Sequence, residues 1–201
     1  MALPVVGFVG ASGSGKTTLI TAVLPELCAA GLRVAVLKHA HHGFQMDRPG
    51  KDSFRVREAG ASQVLVASRS RWALLSELDG DFEEPPFREL LGRFDRDRVD
   101  VVLAEGFARE CYPKIEVHRP ALGKPPRCWP ADPMVIAVAT DAALAVAWPA
   151  RRLDLNAPLE VTAFLLDHLA ATGAIPATMP AETTEDGEPG RGAGRCTLRI
   201  I

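Results

Sequence analysis

The chain has 201 residues, of which 47% are hydrophobic and 24% charged, and its formal net charge is −2 at pH 7. This length and composition predict a soluble globular domain with a full hydrophobic core. The near-neutral charge gives no reason to expect nucleic acid as a partner, and no apolar run reaches the roughly 18 residues of a membrane span. The four cysteines are far apart and form no C-x-x-C pair, which argues against structural zinc or a disulfide framework and favours a cytoplasmic protein.

Segments typical of strands and of helices alternate along the chain, which predicts an α/β fold with a mainly parallel sheet flanked by helices. A small β-hairpin excursion, with a polar turn at residues 68–71, interrupts this alternation. The predicted strands are residues 4–9, 32–38, 63–67, 72–75, 99–104, 114–118 and 135–139, and the predicted helices are residues 15–30, 52–59, 87–94 and 158–171.

The sequence also predicts further details of some of these strands and helices. Residues 114–118 alternate in polarity as a short strand, and residues 135–139 are predicted to be the last core strand. Asp52 or Ser53 is expected to cap the second helix. The apolar residues of the last helix are Leu159, Phe164, Leu165, Leu166 and Leu169.

The C-terminal part of the chain differs in composition from the rest. From Gly173 onward it is rich in Pro, Gly, Glu, Thr and Arg, and such a segment has too few apolar side chains to offset its ordering entropy. We therefore predict one folded domain over residues 1–172 and a disordered tail over residues 173–201.

The most informative motif is the segment G-A-S-G-S-G-K-T at residues 10–17, between the first predicted strand and the first predicted helix. This is the P-loop pattern in its required context, and it predicts the P-loop NTPase fold. The glycines allow a nest of backbone N–H groups, Lys16 can reach the β- and γ-phosphates, and the hydroxyl of Thr17 can coordinate Mg²⁺. The predicted phosphate-binding residues are Gly10, Ser12, Gly13, Ser14, Gly15, Lys16, Thr17 and Thr18. The motif alone does not choose between ATP and GTP.

Glu105 stands at the carboxyl end of a buried predicted strand, where P-loop proteins hold a second acid on the Mg²⁺ side. That acid is more often Asp, and the alternative is an ordinary surface Glu at a strand end. We favour the functional interpretation, which makes Lys16 and Glu105 the catalytic candidates and Thr17 and Glu105 the metal candidates.

Two further polar groups follow strands. The loop over residues 39–53 contains three histidines, among them His41, together with Asp47 and Lys51. A transition-metal site is one interpretation, but a loop facing a phosphate or polar substrate is favoured. Asp141 ends the strand 135–139, near the place where a carboxylate reads guanine in GTP-binding P-loop proteins. Because the chain has no N-K-x-D motif, the pattern leaves this role open.

Several segments together resemble one family. They are residues 10–18, K-H-A-H-H at 38–42, D-R-P-G-K-D-S at 47–53, R-E-A-G-A at 57–61, V-A-S at 66–68, R-W-A-L at 71–74, A-E-G-F at 104–107 and P-K-I-E-V at 113–117. The chain resembles the MobB family of molybdopterin-guanine dinucleotide biosynthesis adapter proteins over about residues 3–171.

The resemblance implies a GTP-binding protein with weak GTPase activity, usually a homodimer. It would work beside the guanylyltransferase MobA, which joins GMP to molybdopterin. The family's P-loop maps onto residues 10–18, its acidic strand end onto Glu105, and its histidine and P-G-K-D-S loops onto residues 39–53. The polar C-terminal extension departs from the family pattern.

Two alternatives share the same fold. A P-loop small-molecule kinase usually carries a lid with clustered arginines, whereas the arginines of this chain are dispersed. A nucleotide switch without catalysis of its own, whose partner supplies catalysis, is the other alternative.

Overall fold

The predicted strands assemble into one parallel sheet and one hairpin. The computed structural model describes residues 3–40, 44, 46–78, 84–143 and 150–175. The strands are β1 (Val5–Val9), β2 (Val34–Lys38), β3 (Gln63–Ala67), β4 (Trp72–Ser76), β5 (Val101–Glu105), β6 (Lys114–His118), β7 (Val135–Thr140) and β8 (Arg151–Asp154), and the helices are α1 (Lys16–Ala29), α2 (Asp52–Glu58), α3 (Phe87–Leu91) and α4 (Pro158–Ala171). The six-stranded sheet has the order β2-β5-β1-β6-β7-β8 and is parallel throughout. It confirms the predicted α/β class.

Helices α1 and α4 pack on one face of this sheet. Their buried residues recur at helical spacing and are Leu19, Ile20, Val23 and Leu27 in α1 and Val161, Thr162, Leu165 and Leu169 in α4. The apolar ones join strand residues such as Phe8 and Ile115 in the main core. Leu159 is 64% exposed, contrary to its assignment to the apolar residues of the helix, because it lies two positions before Val161 and so on the opposite side of the helix.

Strand β6 is more deeply buried than its alternating sequence suggests. Lys114 and Glu116 are only 1% and 0% exposed, because β6 lies between β1 and β7 and residues 107–134 cover its second face. Each buried charge has its own partner. The Nζ of Lys114 lies 2.5 Å from Oδ2 of Asp132, and Glu116 binds backbone N–H groups described below.

Residues 135–139 form a buried strand as predicted, but the prediction missed a further strand that follows them. Strand β8 pairs with β7 at the edge of the sheet. Its sequence, Arg-Arg-Leu-Asp, buries only Leu153, so it contains no apolar run that would have indicated a strand. An edge strand needs fewer apolar side chains because part of it faces solvent.

Two helices differ from the prediction at their ends. Neither Asp52 nor Ser53 caps α2. Lys51 occupies the N-cap position without a side-chain hydrogen bond, and the Ser53 hydroxyl instead donates to Oδ1 of Asp47 over 2.9 Å. Helix α3 ends at Leu91 rather than at residue 94. Beyond Leu91 the backbone N–H groups of residues 93 and 94 bond to carbonyl oxygens three positions earlier, which is a turn and not an α-helix.

The hairpin is confirmed as a separate two-stranded antiparallel sheet of β3 and β4. No residue of either strand is buried, and the large apolar side chains of Leu65, Val66 and Trp72 are exposed.

The described part of the chain ends at Ile175, which packs in the main core. The predicted tail lies almost wholly in residues 176–201, outside the described residues. Within the described ranges no helix is long and apolar enough to cross a membrane.

Candidate functional site

The loop between β1 and α1 has the backbone that its glycines predict. Gly10, Gly13 and Gly15 have φ values of 136°, 84° and 99°, in the left-handed region that residues with a Cβ avoid. Gly10 also lies so close to β6 that a Cβ would collide with the carbonyl oxygen of Val117. The loop leads directly into α1, so backbone N–H groups and the positive end of the helix dipole favour an anion here.

Two side chains of the loop fit a phosphate ligand. The Nζ of Lys16 donates to the carbonyl oxygens of Gly10 and Ala11 over 3.0 and 2.9 Å. Burial lowers the pKa of this ammonium, and the nearby Glu105 partly opposes the effect. The hydroxyl of Ser14 is buried, and the described residues offer it no hydrogen-bond partner. A phosphate oxygen is the acceptor that such a hydroxyl lacks. Of the other predicted residues, Ser12 and Thr18 are exposed.

Glu105 lies against the start of α1. The Thr17 hydroxyl donates to its Oε1 over 2.7 Å, so the structure brings the two predicted metal candidates together. Lys38, at the end of β2, donates its Nζ to the same Oε1 over 3.0 Å and to Oγ1 of Thr17 over 2.9 Å. Sequence reasoning missed Lys38, although the pairing of β2 with β5 aligns it with Glu105.

A tight turn fixes the chain directly after Glu105. Gly106 and Phe107 have φ values of 92° and 49°, and the second is unusual for a bulky residue. The hydroxyl of Tyr112 donates to both of their carbonyl oxygens, over 3.1 and 3.0 Å. Burial raises the pKa of Tyr112. Gly7 leaves room for the ring, since a Cβ there would collide with it.

A second group of side chains stands on the other side of the loop, beyond β6. Arg119 follows β6 and Asp141 follows β7, and their Nη1 and Oδ2 atoms are 2.6 Å apart. The Nη2 of Arg119 lies 3.9 Å from the place where a Cβ of Gly15 would stand. Asp141 was predicted from its position at a strand end, whereas Arg119 was not.

Glu116 on β6, three residues before this arginine, organises a loop backbone. Its carboxylate accepts three consecutive backbone N–H groups, from Arg127 over 2.6 Å, Cys128 over 2.8 Å and Trp129 over 3.0 Å. The charge of Arg127 adds to burial in lowering the pKa of Lys16, whereas Glu105 raises it. Glu116 lies in the segment P-K-I-E-V at 113–117, but no sequence pattern marked it as a backbone anchor.

The loop over residues 39–53 begins beside Glu105. The backbone N–H of His39 donates to the carbonyl oxygen of Glu105 over 2.9 Å, and its ring stacks on Phe107 with centroids 5.1 Å apart. Among the described residues neither Asp47 nor Lys51 hydrogen-bonds the P-loop. His41 lies outside the described residues, and within them no three His, Cys, Asp or Glu side chains are grouped to hold a metal ion.

Comparison with known proteins assigns this arrangement to a family. The family model for molybdopterin guanine dinucleotide synthesis protein B, MobB, matches residues 5–141. The chain belongs to the MobB family. It is 44% identical over 167 residues to a molybdopterin-guanine dinucleotide biosynthesis adapter protein of Haemophilus influenzae, covering 82% of each chain. It is also 44% identical to the adapter protein of that name in Escherichia coli, over 71% of this chain and 81% of that one.

Solved structures agree with this assignment. The crystal structure of Bacillus subtilis MobB is similar with a TM-score of 0.63 and 25% identity, and the match covers 82% of this chain and 97% of that one. The residues that the family model matches, 5–141, include all those described above from Gly10 to Asp141. An adenylyl-sulfate kinase of Bacillus velezensis is 32% identical, but over only 54% of this chain and 52% of the kinase, so the kinase alternative has much weaker support.

Proposed function

We propose that this protein is a GTP-binding adapter in molybdopterin guanine dinucleotide biosynthesis, acting beside a MobA-type guanylyltransferase on the molybdopterin cofactor. The observation that carries the proposal is the contact between Thr17 and Glu105 beneath the P-loop, in a chain that belongs to the MobB family. A P-loop with an acid against its Thr is the arrangement that binds a nucleoside triphosphate with a divalent cation.

The residues around Glu105 fit Mg²⁺. Thr17 and Glu105 supply the hard oxygen donors that this ion prefers, and bound there it would neutralise charge on the phosphates. The Nζ of Lys38 lies within 3.0 Å of both oxygens, so this position already attracts a cation. We propose that Lys38 turns toward the phosphates when the metal is present.

The chemistry of the site points to slow hydrolysis. Lys16 would exchange the two loop carbonyls for the β- and γ-phosphate oxygens, and the Ser14 hydroxyl would gain an acceptor. Glu105 would orient a water through the oxygen that Thr17 does not occupy. We propose weak conversion of GTP and water to GDP and phosphate. The four dispersed cysteines are in keeping with a cytoplasmic site for this work.

We propose that the loop over residues 39–53, with His41, Asp47 and Lys51, completes the nucleotide or cofactor site when ligand is bound. Its start is fixed beside Glu105 by His39, so its remaining residues can respond to occupancy. Hydrogen exchange of residues 39–53 should slow when GTP and Mg²⁺ are added. Identical exchange in the two states would remove the loop from the site.

We also propose a homodimer, and the hairpin supports it. A two-stranded hairpin is marginally stable alone in water, yet β3 and β4 expose 61% of Leu65 and 39% of Trp72. Burial of these side chains against a second copy would stabilise both. Light scattering during gel filtration should give twice the chain mass for the wild type and a lower mass for Leu65→Glu. A monomeric wild type would contradict the dimer.

Guanylylation by a MobA-type guanylyltransferase tests the adapter role. Molybdopterin cofactor, GTP and the guanylyltransferase are combined with and without this protein, and the dinucleotide product is measured. The wild type should raise the yield of product, and Lys16→Ala should not. Equal yields in the presence and absence of wild-type protein would contradict the proposal.

A further inference from the structure

We propose that Arg119 contacts the nucleotide phosphates and that Asp141 is its positioning residue rather than a reader of the guanine base. This inference rests on the proposed nucleotide-binding function. It gives a role to an arginine that no sequence motif marks, and it changes the role of the one carboxylate that the sequence places near the base.

The sheet places the two residues side by side. His118 of β6 pairs with Thr140 of β7, so Arg119 and Asp141 are the first residues beyond two adjacent parallel strands. Arg119 has an extended backbone and precedes Pro120, which restricts the residue before it to such conformations. The backbone that carries the guanidinium is therefore restricted in conformation at the carboxyl edge of the sheet.

The ion pair directs the guanidinium toward the P-loop. Its Nη1 is 2.6 Å from Oδ2 of Asp141, while Nη2 lies near Gly15, at the start of α1. Among the described residues the side chain of Arg119 makes only this ion pair. Since a guanidinium carries five N–H donors, it keeps donors for a phosphate while it is bound to Asp141.

The same contact argues against base reading by Asp141. A carboxylate that reads guanine accepts from both N1–H and the N2 amino group, which requires both of its oxygens. Oδ2 of Asp141 is already bound to Arg119, and their side chains are only 20% and 35% exposed. Asp141 therefore acts on the nucleotide through the arginine.

The position of Arg119 also indicates which phosphates of the nucleotide it contacts. Thr17 and Glu105, which hold the metal side, lie toward β5, whereas Arg119 lies across β1 on the β6 side. Arg119 is thus placed for the α- and β-phosphates, which GTP and GDP share. Its removal should weaken binding of both nucleotides equally.

Titration calorimetry with GTP, GDP, ATP and xanthosine triphosphate tests these roles. The variants are Arg119→Ala, Arg119→Lys and Asp141→Asn. Arg33→Ala and Asp100→Asn serve as matched controls, because their ion pair has the same 2.6 Å spacing but lies at the opposite edge of the sheet. Melting curves of every variant verify folding.

Arg119→Ala should weaken GTP and GDP about tenfold or more, the range for a hydrogen bond to a charged group. Arg119→Lys should lie between it and the wild type, because lysine keeps the charge and loses the planar fork. Asp141→Asn should weaken all triphosphates by the same smaller factor. The two control variants should match the wild type.

Three results would overturn the inference. The first is GTP and GDP affinity within twofold of wild type in Arg119→Ala. The second is a loss for GTP alone, which would place Arg119 at the γ-phosphate. The third is a gain for xanthosine triphosphate in Asp141→Asn, because an asparagine amide in place of a base-reading carboxylate would donate to the xanthine O2. If the wild type bound no nucleotide at all, the proposed function itself would fall, and this inference with it.

Discussion

The two sides of the P-loop hold their side chains in different ways. On the β5 side, Thr17, Glu105 and Lys38 hydrogen-bond one another directly. On the β6 side, Arg119 and Asp141 form an ion pair between neighbouring strand ends. The first side brings two oxygen donors together, which suits a divalent cation, at a position that the Lys38 ammonium now occupies. The second presents a guanidinium, which suits phosphate oxygens.

Each side is fixed by a buried polar residue behind it. Tyr112 holds the turn that follows Glu105, and Glu116, three residues before Arg119 in the chain, holds the backbone of residues 127–129. Both belong to the sheet face that α1 and α4 do not cover. Because loops rather than long helices cover this face, hydrogen bonds to backbone groups set the loop positions. The site thus depends on residues that touch no ligand.

The largest effect is expected at the residue that both sides share. Lys16→Ala should lower GTP affinity about a hundredfold, since it removes hydrogen bonds to charged phosphates that are worth about 1.5–3 kcal/mol each. The melting temperature should change little because, among the described residues, the Lys16 ammonium hydrogen-bonds only the loop itself. Calorimetry with Lys124→Ala, an exposed lysine outside the site, as the control measures the difference. Equal affinity in Lys16→Ala and wild type would show that the P-loop binds no phosphate.

Glu105→Gln tests the β5 side alone. The amide preserves the shape but cannot supply an anionic oxygen to the metal, so turnover should fall by at least about tenfold, or 1.4 kcal/mol in the barrier. GTP affinity should fall much less. Glu89→Gln, on an exposed ion pair of α3, is the control. Turnover within about twofold of wild type would place Glu105 outside the chemistry.

Glu116→Gln tests the β6 side through its backbone anchor. A glutamine can offer only one oxygen to three N–H donors, so the variant should lose about 1–3 kcal/mol of stability, which corresponds to roughly 2–10 °C in melting temperature. Hydrogen exchange should speed up at residues 127–129 and stay unchanged at Phe107. Uniform acceleration across the sheet would show that Glu116 supports the whole fold rather than one side of the site.

The smallest effect is expected from removal of residues 176–201. Both sides of the site lie between Gly10 and Asp141, and Ile175 closes the described core, so the shortened chain should melt and bind GTP as the full chain does. A drop of several degrees in melting temperature would show that the removed segment packs on the domain or across a dimer.

The sequence predicted most site residues on the β5 side of the P-loop, but it did not predict most of those on the β6 side. Residues 10–18 are contiguous, and Glu105 ends a strand with an unbroken apolar run, so local patterns indicate both. Arg119, Glu116 and Tyr112 acquire their roles only when β6 is placed next to β1, over a hundred positions away in the sequence. Strand β8 was missed because one buried leucine gives no periodic signal. The parallel class was predictable because three of the four inner strands, β5, β1 and β7, are largely apolar runs.

The central claim is that this site binds a guanine nucleotide with Mg²⁺, and calorimetry on the full chain tests it most directly. GTP and ATP are each titrated with and without Mg²⁺. We predict that GTP binds more tightly than ATP and that Mg²⁺ strengthens GTP binding in the wild type but much less in Glu105→Gln. Tighter binding of ATP, or GTP binding that is indifferent to Mg²⁺ in the wild type, would contradict this account.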